Sequence, residues 1–259
     1  MAQPKTSTPI AVQLYSLRHL ELPFEEILGH VSRIGYHGVE TLADHGIPAS
    51  EMNELLDRYN LKVSSTHVGL PALEENLDHF VTFNKAVGND VLVVPFLPEE
   101  MRGAGAAGWQ AVGNRLGEMA RRCADAGMRL GYHNHSFEME EFEGQLAIDW
   151  LLAASQADNV FWETDLAWIQ AGEVDPATML GNYTGRCPLI HAKDLAPAGE
   201  NQDQMGLADV GYGVLDWETL LPAAQAAGAE WFIVEHDLPK DPLASIERSF
   251  DFLAARLAD

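Results

Sequence analysis

Eight short apolar runs, rich in β-branched residues and separated by longer amphipathic stretches, constrain this chain more than any other feature. They fall at residues 10–15, 36–41, 62–68, 91–96, 128–133, 160–165, 189–192 and 231–235. The intervening segments carry helical spacing. Residues 22–33 place Phe24, Ile27, Leu28 and Val31 on one face, and residues 109–126 do the same with Val112, Leu116, Met119, Ala120 and Cys123. Pro48-Ala-Ser-Glu and Asp241-Pro-Leu-Ala-Ser pre-set first helical turns. Strands apolar on both faces, alternating with helices, indicate a parallel sheet covered by helices. Eight such units in 259 residues, without a linker or a composition break, predict a single α/β domain, a (β/α)8 TIM barrel over residues 1–259. An open doubly wound sheet would call for GxGxxG after the first strand, and none is present.

Charge narrows the partners. Lys plus Arg number 16 against 39 Asp plus Glu, a formal net charge of −23. Such a field repels phosphate backbones and anionic lipid, so neither nucleic acid nor a membrane is an expected partner. The apolar runs are strand-length, far short of a membrane span, and MAQPKTSTP lacks the apolar core of a leader. Cys123 and Cys187 are isolated, which suits a reduced interior. The expected location is the cytoplasm.

In a barrel, functional side chains gather where strands end. The first run ends in Gln13, Tyr15, Ser16 and Arg18, the second in Glu40 and the third in His67. The fifth ends in His133-Asn134-His135, with Glu138 three residues on. The sixth carries Glu163 and Asp165, the seventh leads into His191, Lys193 and Asp194, and the eighth into Glu235-His236. Five of the ten histidines fall at these ends. Any one of them is as readily a hydrogen-bonded rim residue, Glu40 an arginine partner, Lys193-Asp194 a solvated turn. Together, carboxylates and imidazoles converging on one rim need a positive centre, and a divalent metal is the simplest. Residues i and i+2 of a strand share a face, so Glu163 pairs with Asp165, His133 with His135 and His191 with Lys193. Asp165, His191, Glu235 and one ligand from the fifth strand end make a mixed O/N set that suits Mn²⁺, Co²⁺, Mg²⁺ or Zn²⁺. No HExxH or cysteine-based zinc motif occurs.

Five motifs occur in order: Tyr132-His-Asn-His-Ser-Phe-Glu-Met, Glu163-Thr-Asp-Leu-Ala-Trp with Ala171-Gly-Glu-Val-Asp-Pro, His191-Ala-Lys-Asp, Asp209-Val-Gly-Tyr-Gly and Val234-Glu-His-Asp. Together with Val12-Gln-Leu-Tyr-Ser-Leu-Arg, they resemble the xylose isomerase-like TIM-barrel superfamily, in its sugar phosphate isomerase/epimerase branch. The resemblance implies a divalent metal, often Mn²⁺, at the C-terminal mouth of the barrel. Asp165, His191 and Glu235 match three of its usual ligands. The fourth falls to His133 by strand alignment or to Glu138 by ligand chemistry, and Glu138 is preferred. Trp168 stands where ketose epimerases of the group have a histidine, and Tyr212 where relatives have a glutamate. With His133 on the fifth strand, a symmetric two-glutamate mechanism is not expected, whereas Lys193 matches an HxK motif of dehydratase-like and isomerase-like members.

The implied reaction is a metal-dependent isomerisation or epimerisation of a sugar or keto-sugar, by proton abstraction next to a carbonyl through a metal-stabilised enediolate. Glu235 or His135 is the expected base, Lys193 the acid or oxyanion partner, and Gln13, Glu40, His67 and Trp168 the holders of sugar hydroxyls. A lyase of the inosose dehydratase or 3-keto-glycoside type is the alternative, and a non-catalytic sugar-binding barrel a third. The endonuclease branch conflicts with the charge. Arg18, Arg102 and Arg186 are the few candidates for a phosphate site, and of these only Arg18 lies close to a strand end, so an unphosphorylated sugar is expected. The long connections 95–108 and 195–215 are expected as lids, with Asp209-Val-Gly-Tyr-Gly turning the second back over the mouth. Homo-oligomerisation stays open, since Trp109, Trp150 and Trp217 suit an interface or helix–barrel packing equally.

Overall fold

The computed structural model describes residues 6–258. Eight strands form the barrel: Ile10–Gln13, Gly38–Leu42, Lys62–His67, Val91–Val94, Arg129–His133, Phe161–Asp165, Leu189–Ala192 and Trp231–Val234. Each pairs in parallel with the next, and the eighth returns to the first, so the sheet closes. The expected (β/α)8 barrel is therefore the observed one. Helices Phe24–Ile34, Ala49–Tyr59, Leu70–Ala86, Gly105–Asp125, Ala147–Ala154, Trp217–Ala226 and Pro242–Leu257 cover it. The sixth crossover holds two short helices, Leu166–Ala171 and Pro176–Asn182. No helix of the described residues is long and apolar enough to cross a membrane.

Strand alternation divides the side chains into two cores. Outward-facing Val12, Leu92, Tyr132, Trp162, Ile190 and Phe232 pack against Leu28, Val31, Met52, Leu116, Met119, Phe250 and Leu253 of the helices. Inward-facing Ala11, Val91, Val93, Phe161, Leu189 and Ile233 make a separate apolar plug inside the barrel. Gly131 leaves the space that the Phe161 ring fills: a Cβ there would lie 2.2 Å from Phe161 Cε2. Toward the C-terminal ends of the strands the buried polar positions are Gln13, Glu40, His67, His133, Glu163 and His191, joined to one another across the barrel. The barrel interior is thus apolar below and ionisable above. Trp109 and Trp217 are buried, and half-buried Trp150 donates its Nε1–H to the Phe142 carbonyl at 2.9 Å, so helix packing accounts for all three.

Both long connections reach the mouth of the barrel, where Pro95 and Phe96 of the first and Met205 of the second line a cavity, and both are fastened. Residues 95–108 contain a turn, Glu99–Met101, and the start of the Gly105–Asp125 helix. Arg102 ties it down, donating to the Leu97 carbonyl at 3.0 Å and stacking 3.6 Å over Phe137. The second connection is held by Asp194. This fully buried carboxylate accepts from Leu195 N (2.9 Å), Gly211 N (2.9 Å), Gly213 N (3.2 Å), Leu215 N (3.1 Å) and Trp217 Nε1 (2.8 Å). Lys193-Asp194, readable as a solvated turn, is buried throughout. The Asp209–Gly213 turn docks on the last helix through Ser245 Oγ–Asp209 (2.5 Å) and Ser249 Oγ–Val210 N (3.0 Å), rather than over the mouth.

Candidate active site

A bulge on the third strand sets Ser65 beside Glu40, which alternation already turns toward the barrel axis. Val39 pairs with Val63 but Glu40 with Ser65, so Ser64 is the extra residue on the third strand. Ser65 Oγ then donates to Glu40 Oε1 at 2.5 Å, and Gln13 Nε2 donates to Glu40 Oε2 at 2.6 Å. Gln13 Nε2 also lies 3.1 Å from His67 Nδ1.

At the centre stands Glu163, fully buried. Its Oε2 lies 2.6 Å from His67 Nε2, 3.1 Å from His133 Nδ1 and 3.2 Å from His191 Nε2. Glu40 Oε2 adds contacts to His191 Nε2 (2.7 Å) and His67 Nε2 (3.0 Å). An imidazole whose one nitrogen is held by a carboxylate presents the other in a fixed direction. His133 Nε2 accordingly faces Asp165 Oδ2 (3.7 Å), and His191 Nδ1 faces Glu235 Oε2 (3.1 Å). Asp165 is braced by Trp168 N on Oδ1 (2.8 Å) and by Asn134, whose Oδ1 receives both Asp165 N (2.9 Å) and Trp162 Nε1 (2.8 Å). Lys193, buried on the same face as His191, sets its ammonium among Asp165 (3.2 Å), Glu235 (2.9 Å) and Asp237 (2.7 Å).

Charge decides the protonation here. Burial opposes the charge on His67, but Glu40 and Glu163 outweigh it and push the imidazole up to about 10. His191 is likewise raised well above the ordinary histidine value, burial being outweighed by Glu163 and Glu40. Those two imidazoles in turn hold Glu40 well below the carboxylate range, against burial. His133 is pulled far down by burial and by the cationic His191, His67 and Lys193 around it, so its lone pair stays free. Burial lifts Asp165 to about 6, opposed by Lys193 and His191. Lys193 resists burial because Asp165, Asp237 and Glu235 hold it charged, well above its usual value. Five carboxylates (Glu40, Glu163, Asp165, Glu235 and Asp237) thus face one lysine, and protons on imidazoles make up part of the deficit.

A divalent cation fits the same deficit. His133, Asp165, His191 and Glu235 offer ligand atoms within 4.8 Å of one another, and so do His67, His133, Glu163 and His191. Asp165 Oδ2 is buried and accepts no hydrogen bond. Two imidazoles and two carboxylates form a donor set for a borderline or hard divalent ion. The first group is the better cradle. Its nitrogens point away from Glu163 and Glu40, and Glu235 opens on a cavity of about 440 Å³. His67, His133, His135, Trp168 and Asp237 line that cavity too.

Most of the residues singled out in the sequence meet here. Gln13 and Glu40 lie below the cavity, bonded to His67. His135 and Trp168 stack with centroids 5.8 Å apart, and each keeps a buried nitrogen, His135 Nδ1 and Trp168 Nε1, without a hydrogen-bond partner. Burial, reinforced by Lys193, pulls His135 down to about 3, so its ring is neutral. Glu138 stays outside both ligand groups. In the turn Phe137–Met139 its carboxylate receives the Tyr132 hydroxyl and His135 N (2.7 Å), and burial pushes it up to about 7. It braces the fifth strand end, and His133 occupies the position facing Asp165. Two participants were not singled out as site residues. Glu163 shares a strand face with Asp165, and that alternation was its available signal. Asp237 lies past the strand, where no periodicity applies.

A family model described as a xylose isomerase-like TIM barrel matches residues 28–256. An inosose dehydratase from Lacticaseibacillus casei is 24% identical over 254 residues, covering 86% of this chain and 84% of that protein. Among solved structures, a sugar phosphate isomerase/epimerase from Parabacteroides distasonis superposes with a TM-score of 0.81 at 22% identity, over 97% of this chain and 95% of that one. A 3-keto-D-glucoside 4-epimerase from E. coli does so with a TM-score of 0.71 at 16% identity, over 96% and 99%. The chain belongs to the xylose isomerase-like TIM barrel family.

Proposed function

We propose that this barrel is a divalent-metal-dependent isomerase or epimerase of an unphosphorylated sugar or keto-sugar, working in the cytoplasm by moving a proton next to a carbonyl. The observation that carries the reading is Glu235. Its carboxylate reaches the cavity floor beside His191 and 2.9 Å from the buried Lys193 ammonium, so a proton acceptor and a proton donor meet at one point. His133, Asp165, His191 and Glu235 would hold the ion, Mn²⁺ by preference. There it would supply positive charge to the carbonyl oxygen as the adjacent carbon is deprotonated. Glu235 takes the α-proton, with His135, neutral at the cavity wall, as the alternative base. Lys193 faces the developing oxyanion. The unpaired nitrogens of His135 and Trp168 are suited to sugar hydroxyls, as is His67.

A second reading is elimination. It is favoured by His133 on the fifth strand, which leaves no carboxylate there to serve as a second base. In that reading Glu235 removes the proton α to the carbonyl and the β C–O bond breaks. Lys193 protonates the departing oxygen, and water or an alcohol leaves as the new C=C forms.

Metal content is measured first, then turnover with Mn²⁺ on ketoses and keto-sugars in D₂O. About one ion per chain, lost in His191→Ala, with deuterium entering the sugar and no loss of water, supports isomerisation or epimerisation. A dehydrated, enone-type product moves the assignment to lyase. No metal and no exchange would refute both.

A further inference from the structure

A second cavity, of about 330 Å³, lies outside the catalytic one, between the connection after the seventh strand and the start of the last helix. The two cavities share no lining residue. Their walls meet at the end of the eighth strand, where alternation divides the side chains. Glu235 and Asp237 line the catalytic cavity, and His236, between them, lines the other. Small-molecule sites commonly measure about 300–1,000 Å³, so this one has room for a small metabolite. The chemistry proposed above uses none of its residues.

His236 is the residue that calls for a ligand. It is only 3% exposed. Its Nδ1 accepts from Leu238 N at 3.3 Å, so that nitrogen carries the lone pair and the ring proton sits on Nε2. The Nε2–H has no hydrogen-bond partner among the described residues, and the side chain that carries it lines the cavity. A buried donor without an acceptor is costly, and a ligand oxygen in the cavity would relieve it.

Around it, the free capacity of the wall is mostly donor capacity. Arg248 gives one N–H to Asp209 (2.9 Å) and lies 5.1 Å from the Tyr212 ring, which leaves the rest of its planar fork available. Lys240 pairs with Asp203 (2.9 Å), but the two side chains are 68% and 62% exposed, a pair that water and salt weaken. Gln204 accepts Lys240 N on Oε1 (3.2 Å) and keeps its amide NH₂. The two lining carboxylates are already engaged. Asp209 accepts Ser245 Oγ (2.5 Å) and Arg248, and Asp241 caps the last helix by accepting Ala244 N (3.1 Å). Ala244 and Ser245, in the first turn of that sixteen-residue helix, bring the positive end of its dipole to the cavity wall.

We infer that this cavity is a second ligand site, which takes a phosphate monoester. The phosphoryl oxygens accept from His236 Nε2, Lys240 and Arg248, and the remainder of the ligand fills the space beside Tyr212 that a bare ion would leave. The site needs neither the metal nor the sugar chemistry of the barrel mouth, so it stands or falls separately from them.

The test is calorimetric titration of the full chain, with Mn²⁺ and after chelation, with glycerol 3-phosphate, inorganic phosphate and glycerol. Glycerol 3-phosphate should bind in both metal states, at least about tenfold more tightly than glycerol. Lys240→Gln, Arg248→Gln and His236→Phe should each weaken it by about tenfold or more, the effect of losing one charge-assisted or buried hydrogen bond. Lys240 and Arg248 are exposed, so their variants keep the fold and carry the test if His236→Phe does not. Inorganic phosphate binding more weakly than the ester supports a metabolite as the occupant. Inorganic phosphate binding at least as tightly would overturn the ester and leave a site for the free ion. Glycerol binding as tightly as its phosphate, or no binding of either phosphate, would overturn the site altogether. Binding that is lost on chelation, or undiminished in the variants, would place the phosphate on the catalytic metal and overturn it as well.

Discussion

Asp194 offers the sharpest test of how the mouth is held. Its two carboxylate oxygens accept five N–H groups: Oδ1 takes Leu195 and Leu215, Oδ2 takes Gly211, Gly213 and the Trp217 indole. Asp194→Ala orphans all five. A hydrogen bond to a charged acceptor contributes about 1.5–3 kcal/mol, and an unpaired buried donor costs about 1–3 kcal/mol. Leu195, Gly211 and Gly213 are partly exposed and can be rehydrated, whereas the bonds from Leu215 N and Trp217 Nε1 are buried. Counting those two in full and the others at a discount gives a loss of about 4–6 kcal/mol. For a chain of this size that corresponds to a Tm fall of about 10–20 °C. Asp194→Asn is no rescue, because its NH₂ would confront at least two N–H donors; a loss of about 2–4 kcal/mol is expected. Differential scanning calorimetry reads both, and hydrogen exchange at Leu215 localises the damage. An alanine variant melting within about 3 °C of the parent would refute the claim that this carboxylate holds the connection.

Other outcomes follow from the charge cluster. His191 holds a proton in the metal-free protein, so loading Mn²⁺ must displace it; calorimetry in buffers of different ionisation heat should show net proton release, and apparent affinity should climb as pH rises from about 6 to 8. In chelated protein, the folded pKa of His67 exceeds its unfolded value. Its contribution to stability is therefore complete below about pH 6.5 and lost as pH rises through about 10, and urea midpoints in EDTA should fall across that window, with a flat profile contradicting the assignment. Glu163→Gln should weaken metal binding by about 10–100-fold while leaving far-UV circular dichroism unchanged, because the amide no longer orients His133 and His191 together. Lys193→Met should lower turnover by at least about 100-fold with metal content retained; unchanged turnover would remove Lys193 from the chemistry.

The barrel was legible because its signal is repeated. Each apolar run found in the sequence overlaps an observed strand, and 189–192 coincides with Leu189–Ala192. The site was legible in part for the same reason: strand ends collect at one mouth, and alternation turned Asp165, His191 and Lys193 inward. What escaped depends on contacts between distant segments. The extra residue Ser64 brings Ser65 opposite Glu40 through a register shift that no local pattern records. Glu138 has the chemistry of a ligand, but the Tyr132 hydroxyl and His135 N capture it first. Asp237 becomes a partner of Lys193 only because the chain bends after Val234, beyond the reach of strand periodicity.

The apolar plug of Ala11, Val91, Val93, Phe161, Leu189 and Ile233 makes the barrel a vessel with one opening. Water, protons and ions reach the charge cluster through the mouth, and a sugar seated in the cavity would close that route. The ligand then doubles as a stopper: while it is bound, a metal below it has no path to a chelator, and EDTA should strip the ion only as fast as the sugar departs.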